Sequence, residues 1–274
     1  MTRSTVHTPT KIKALIADWD DTITTKDTIE LVAEAAYITN PDFPVKWSHF
    51  TSLYYSHYKA FIEQFGPRND LTSERKFQEG LKQIELSSVE DFVERKLFQN
   101  VTHDTFQSQA CKVGIKEHFF EVFKQLYDLQ IPVIILSCNW TSVIMENIFK
   151  NHGFEQNDHF QIITNEFVHV NGNLTGEVSH DKCIRTGVDK VKHLTDIKLK
   201  LKKEHNVSDG IYYIGDSCTD VLPMLETNYG VIIGNGSAKA TMERLRVPVD
   251  QGIFGDGNVK WIQDWKELEP LIKG

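Results

Sequence analysis

Three aspartates fall within four positions at the end of an apolar run: Asp18, Asp20 and Asp21 close the segment ALIADWDDTIT, residues 14–24. Like charges this close repel, so the cluster either lies on a solvated turn or awaits a cation. Two further carboxylates, Asp216 and Asp220, follow the apolar run IYYIG, and Ser137 closes the run IPVIIL. Lys190 stands at the start of a helical segment, TGVDKVKHL. Strand residues two apart face the same side, so Asp18 and Asp20 point toward one site while Trp19 packs away. Carboxylates of Asp18, Asp20 and Asp216, completed by water, suit a hard octahedral ion, with Mg²⁺ the abundant choice. A lysine and a hydroxyl beside them suit phosphoryl transfer, in which charge on three equatorial oxygens must be stabilised.

The elements that must position these groups are legible as alternating strands and helices. Residues 12–18, IPVIILS, GIYYIGD and YGVIIG are short, continuously apolar runs, the pattern of strands buried on both faces of a parallel sheet. TKDTIELVAEAAY reads as a helix with Asp27 as N-cap and Glu30 three residues on. From about Asn40 to Ala110 strand-like runs disappear, and amphipathic stretches such as FTSLYYSHYKAFIEQF mark a helical insertion. FQIITNEFVHVNGNLTGEV reads as strands with a hairpin turn at Asn171-Gly172, and VDKVKHLTDIKLKLKKEH as a helix with a solvated Lys-rich half. Such alternation predicts a parallel α/β sheet with right-handed crossovers, and ligands in such sheets bind beyond the carboxyl ends of the strands.

The bulk properties narrow the partners. The chain has 274 residues, 40% hydrophobic and 25% charged, with a net charge of −8. That balance argues against nucleic acid or an anionic membrane as partner, but a bound cation would still admit an anionic small substrate. No apolar run reaches the length of a membrane span, and the start, MTRSTVHTPTKIK, lacks the apolar core of a secretory signal. Four cysteines without paired spacing (Cys111, Cys138, Cys183, Cys218) suggest reduced thiols, so a cytoplasmic setting is expected. Five N-x-S/T matches are then chance, and none of the eleven histidines forms a zinc-like pair.

In this order, DWDDT, the strand-terminal Ser137, Lys190 and GDSCTD resemble the four motifs of the haloacid dehalogenase-like superfamily, over residues 13–236. The resemblance implies a Rossmann-like, doubly wound core of residues 1–27 and 111–274, with a β-hairpin and a helical C1 cap inserted at residues 28–110. It implies that Asp18 attacks phosphorus to form an aspartyl-phosphate. Asp20 would protonate the leaving oxygen and then deprotonate the hydrolytic water. Mg²⁺ would be held by the Asp18 carboxylate, the Asp20 backbone carbonyl and Asp216. Ser137 and Lys190 would hold the phosphoryl oxygens, with Cys138 and Asn139 beside them at the substrate. Thr22 would steady the first loop, and Asp220 would orient Lys190 or a metal-bound water. Family dehalogenases lack the second acid and transport ATPases carry Thr there, so Asp20 favours a phosphatase or a phosphomutase. Asp21 stands where the family often has Gly and is expected to face solvent. SCNWT further resembles a fungal and plant subgroup related to phosphoserine phosphatase, some of them acting on thiamine monophosphate.

The implied substrate is a small phosphorylated metabolite. Trp47, Phe50, Tyr54, Tyr55, Tyr58 and Phe61 mostly fill the cap core, with one or two facing the site. Arg68, Arg75 and Arg95 are candidates for a substrate carboxylate, with solvated positions the simpler alternative. Cys138 and Cys218 are small packing residues first. A phospho-accepting signalling receiver uses similar groups, but its aspartate lies on a middle strand, and no catalytic side chain is missing here as it would be in a binding module.

Overall fold

Parity along the central strands assigns every side chain to one of two cores. In the computed structural model, which describes residues 10–273, β1 (Ala14–Ala17) sends Leu15 and Ala17 into one apolar cluster and Ala14 and Ile16 into the other. β2 (Val133–Leu136) alternates likewise, as the period-2 geometry of a strand requires. The sheet is completed by β3 (Phe160–Ile163), β6 (Ile211–Gly215), β7 (Tyr229–Ile233), β8 (Asp250–Gln251) and β9 (Val259–Ile262). Its order is β3-β2-β1-β6-β7-β9-β8, with every ladder parallel. This is the doubly wound α/β fold expected from the sequence. β4 (Phe167–Val170) and β5 (Asn173–Val178) form the separate antiparallel hairpin. Asn171 and Gly172 turn it at φ 52° and 82°, the left-handed pair that a two-residue turn needs.

The helices form two layers. α7 (Gly187–His205), α8 (Cys218–Leu225) and α9 (Ser237–Arg244) cover the face that buries Ala14, Ile16 and Tyr213. α1 (Ile29–Thr39), α5 (Phe119–Asp128), α6 (Val143–Asn151) and α10 (Glu269–Lys273) pack on the opposite face with Leu15, Trp19 and Tyr212. Between α1 and α5 lie α2 (Trp47–Phe65), α3 (Leu71–Glu94) and α4 (His103–Gln109), the helical insertion. α2 and α3 pack as a helical hairpin, held by Phe61 and Phe65 against Phe77. The base of the insertion is sewn into the sheet's own core: Phe92 and Phe98 of this segment pack on Trp140 and on Phe167 of the β-hairpin.

Two local expectations change. α1 begins with Thr28, not Asp27, at its N-cap, and Thr28 makes no side-chain cap because its hydroxyl is drawn to Asp20. Asp27 instead accepts from the Ile29 amide at 2.7 Å. The tail strands β8 and β9 carry no apolar run long enough to be read in advance. The reading of the first nine residues as a polar start lies outside the described residues. No described helix is long and apolar enough to cross a membrane.

Phe98 is fully buried at the junction of insertion, hairpin and core. Phe98→Ala is expected to cost about 3–5 kcal/mol, read as the shift of a urea unfolding midpoint. A loss near zero would mean that the insertion docks without sharing the core.

Candidate active site

Asp18 continues the parity of Ala14 and Ile16, so it leaves the sheet on the side of α7 and α8. Its backbone amide still donates to Ile214 O at 2.9 Å, which fixes it as the last laddered residue of β1. Lys190, in the first turn of α7, reaches the same point and is fully buried. Its Nζ lies 2.8 Å from Asp18 Oδ1 and 2.7 Å from Asp220 Oδ1. Asp220 is locked in turn, accepting from the Tyr213 hydroxyl at 3.0 Å and from Ser217 N and Oγ at 3.0 and 2.9 Å. Gly215 permits this approach, because a β-carbon there would collide with the Asp220 carboxyl. Burial first, and Asp220 second, push the Asp18 carboxyl well above its ordinary value against the pull of Lys190. Burial lowers Lys190, but Asp18 and Asp220 outweigh it and hold the ammonium well above the usual lysine range.

Trp19 is out of phase and packs into the opposite core, as expected, while its indole N–H donates to Thr28 Oγ1 at 3.2 Å. Asp20 is half-buried and turns toward the start of α1. Its Oδ1 accepts from Thr28 N and Oγ1 at 2.7 and 2.6 Å, and Oδ2 accepts from Asn139 Nδ2 at 3.0 Å. Burial and then the Asp27 charge push its carboxyl up to about 6, against those hydrogen bonds. Asn139 gives its second amide hydrogen to Thr28 Oγ1 at 3.0 Å, so both amide hydrogens are engaged with the loop while the residue lines the cavity. The Ser137 hydroxyl accepts from Asn139 N at 3.0 Å and keeps its own hydrogen.

At the end of β6, Asp216 lies beside Asp18, and ligand oxygens of Asp18, Asp216 and Asp220 sit within 4.8 Å of one another. Thr22 donates to Asp216 Oδ1 at 3.1 Å, tying the first loop to β6. Burial and then Asp220 push the Asp216 carboxyl up to about 7, against the Thr22 hydrogen bond and the Lys116 charge. Asp220 is committed to Lys190, so the carboxylates left to a cation are Asp18 and Asp216. Asp21 is exposed, as expected, at φ 52°, a left-handed position of the kind that favours glycine. Its carbonyl accepts from Lys116, a residue that sequence reading passed over.

These groups line a cavity of about 500 Å³. Trp47, Phe50, Tyr54 and Tyr55 from α2 form part of its wall, more than the one or two expected, whereas Phe61 packs on Phe65 and Phe77. The candidate arginines are occupied elsewhere: Arg68 and Arg75 with Glu74 and Glu226, and Arg95 with Asp91. Arg185 and Glu85 line the cavity instead. Neither stands in a motif, so only the packing of α3 over the α7 loop brings them in. Burial leaves the Cys138 thiol far above its ordinary range and also raises Cys218, so both are protonated packing residues.

A parallel sheet carrying buried aspartates and a lysine at its carboxyl edge defines an α/β enzyme built for phosphorylated or similarly anionic substrates. The sequence profile of the haloacid dehalogenase-like hydrolases matches residues 15–226, and the chain belongs to that family. It is 27% identical to Cold tolerance protein 1 of Saccharomyces cerevisiae, over 91% of this chain and 90% of that protein. Among solved structures it resembles a phosphoserine phosphatase captured as a phospho-aspartyl intermediate analogue (TM-score 0.56, 15% identity, 94% and 98% of the two chains). It also resembles cytosolic 5'-nucleotidase IIIB bound to cytidine (TM-score 0.58, 12% identity, 95% and 84%). At these identities the structural likeness is one of fold.

Glu85 generates a pH signature. Burial pushes its carboxyl up to about 7, against a 2.8 Å hydrogen bond from Tyr54 and the charge of Arg185. Because the folded value lies above the unfolded one, ionisation opposes folding, and stability falls as pH rises from about 4.5 to about 7. Relative to wild type, Glu85→Gln is expected to gain melting temperature across that window and hold the gain above it, with no difference at pH 4. A pH-independent difference would place Glu85 in solvent.

Proposed function

We propose that this chain is a Mg²⁺-dependent phosphatase that hydrolyses a small phosphomonoester through an aspartyl-phosphate on Asp18. The observation that carries this reading is the buried Lys190 ammonium, held between Asp18 and Asp220 at the floor of the cavity. It grips one Asp18 oxygen and leaves the other for attack on phosphorus, and its remaining hydrogen is directed to a phosphoryl oxygen. Ser137 offers a second donor. Asp20, two residues on and raised to about 6, exchanges a proton readily near neutral pH, as an acid in the first step and a base in the second requires. Thr28 and Asn139 aim it.

The donor set fits Mg²⁺: hard oxygens from Asp18, Asp216 and the Asp20 carbonyl, with Asp18 and Asp216 both raised by burial and by the neighbouring Asp220. The bound ion supplies positive charge for the phosphoryl oxygens. Within residues 28–110, α2 and α3 act as the cap, closing over the leaving group and excluding water during transfer. A cavity of about 500 Å³ suits a small phosphorylated metabolite.

Phosphate release from a panel of small phosphomonoesters, with Mg²⁺ or EDTA, tests the reading. Wild type is expected to release phosphate only with the metal, Asp18→Asn to release none, and Asp20→Asn to lose about 10²–10⁴ in kcat. Transfer within the substrate without release would make it a phosphomutase. Full activity in Asp18→Asn would remove the mechanism.

A further inference from the structure

Arg185 is the cation in this cavity that the mechanism above does not use. It lies one residue before Thr186, the N-cap of α7, is 5% exposed, and lines the cavity together with Asp18, Lys190 and Glu85. Its Nε is buried without a hydrogen-bond partner. Among the described residues its guanidinium has no carboxylate within 4.0 Å, the limit for an ion pair. The nearby acids are already engaged. Asp189 takes the Arg185 backbone amide at 3.1 Å and the Lys82 ammonium at 2.7 Å, and Glu85 takes the Tyr54 hydroxyl at 2.8 Å.

A buried guanidinium Nε without an acceptor is costly, and removing such a group normally stabilises a fold. Its planar fork matches a pair of oxygens on one carboxylate or phosphoryl group. Demand for such a donor exists in the same cavity. Lys190 has given two of its three hydrogens to Asp18 and Asp220, so Lys190 and Ser137 together leave most substrate oxygens without a side-chain donor. Arg185 shares this cavity with Glu85 and Tyr54 of the insertion as well as with Asp18 and Lys190.

We propose that Arg185 receives an anionic oxygen pair of the substrate, meeting its hydrogen bonds only in the bound state, and thereby selects which phosphomonoester is accepted. The assignment rests on the phosphatase reading for the word substrate, but not for the binding itself. The oxygens belong either to the phosphoryl group or to an anionic group on the leaving group.

The test compares wild type with Arg185→Met and Arg185→Lys, using three probes: inorganic phosphate, glycerol 3-phosphate, and 3-phosphoglycerate, which adds a carboxylate. Binding is read by calorimetry and by thermal shift, without turnover. If Arg185 holds the phosphoryl group, Arg185→Met weakens all three probes about tenfold or more and Arg185→Lys recovers part of the loss. If it holds the leaving group, only 3-phosphoglycerate weakens. In both cases ligand-free Arg185→Met should melt about 2–4 °C above wild type, the reverse of what a structural arginine gives. A wild-type chain that binds none of the three probes overturns the proposal, as does an Arg185→Met chain that binds them within twofold of wild type. Absence of hydrolysis in the presence of normal probe binding would count against the phosphatase reading alone.

Discussion

A single buried ammonium organises the catalytic edge of this protein. Lys190 is fully buried and is kept charged by Asp18, just beyond β1, and Asp220, in the first turn of α8. Neither carboxylate would tolerate its position without the lysine, and the lysine would lose its proton without them. The three therefore fix the mutual placement of β1, α8 and the start of α7 more tightly than apolar packing alone. Parity does the rest. Asp18 reaches Lys190 because it is in phase with Ala14 and Ile16, and Tyr213 reaches Asp220 because it faces the same layer.

Outside that triad the charge balance is deliberately incomplete. Asp216 and Asp20 are held above the ordinary range of a carboxylate, and Arg185 has no acceptor for its Nε. Such groups oppose folding and are compensated by the two apolar clusters that sandwich the sheet. An under-satisfied cation and raised carboxylates thus line one cavity before anything enters it.

The sequence made the scaffold and the chemistry readable where each is local. Unbroken apolar runs announced the inner strands, Asn171-Gly172 announced the hairpin turn, and the carboxylates of the first and last motifs stood where strands had to end. It was silent where function comes from tertiary approach. Arg185 is an unmarked loop residue until α3 brings Glu85, and α2 brings Tyr54, to the same cavity. Arg68 and Arg75 looked available because the sequence does not reveal Arg68 stacked over the Phe77 ring beside Glu74, or Glu226 across the chain; the Arg95–Asp91 pair, one helical turn apart, was open to reading. Thr28 was equally hidden. As a cap it would be ordinary, but its hydroxyl aims Asp20 instead.

The loop that carries the aspartates is closed from a distant part of the chain. Trp265 is fully buried against Phe119 and donates its indole N–H to Thr22 O at 3.1 Å, and Ile12 N reaches Leu271 O at 3.0 Å. Every motif up to Asp220 has been synthesised some forty-five residues before Trp265 is made. A nascent chain on the ribosome therefore displays all of its catalytic side chains while the first loop still lacks its buttress. Order in the aspartate loop therefore depends on a residue far down the chain, and loop and tail are expected to become ordered together.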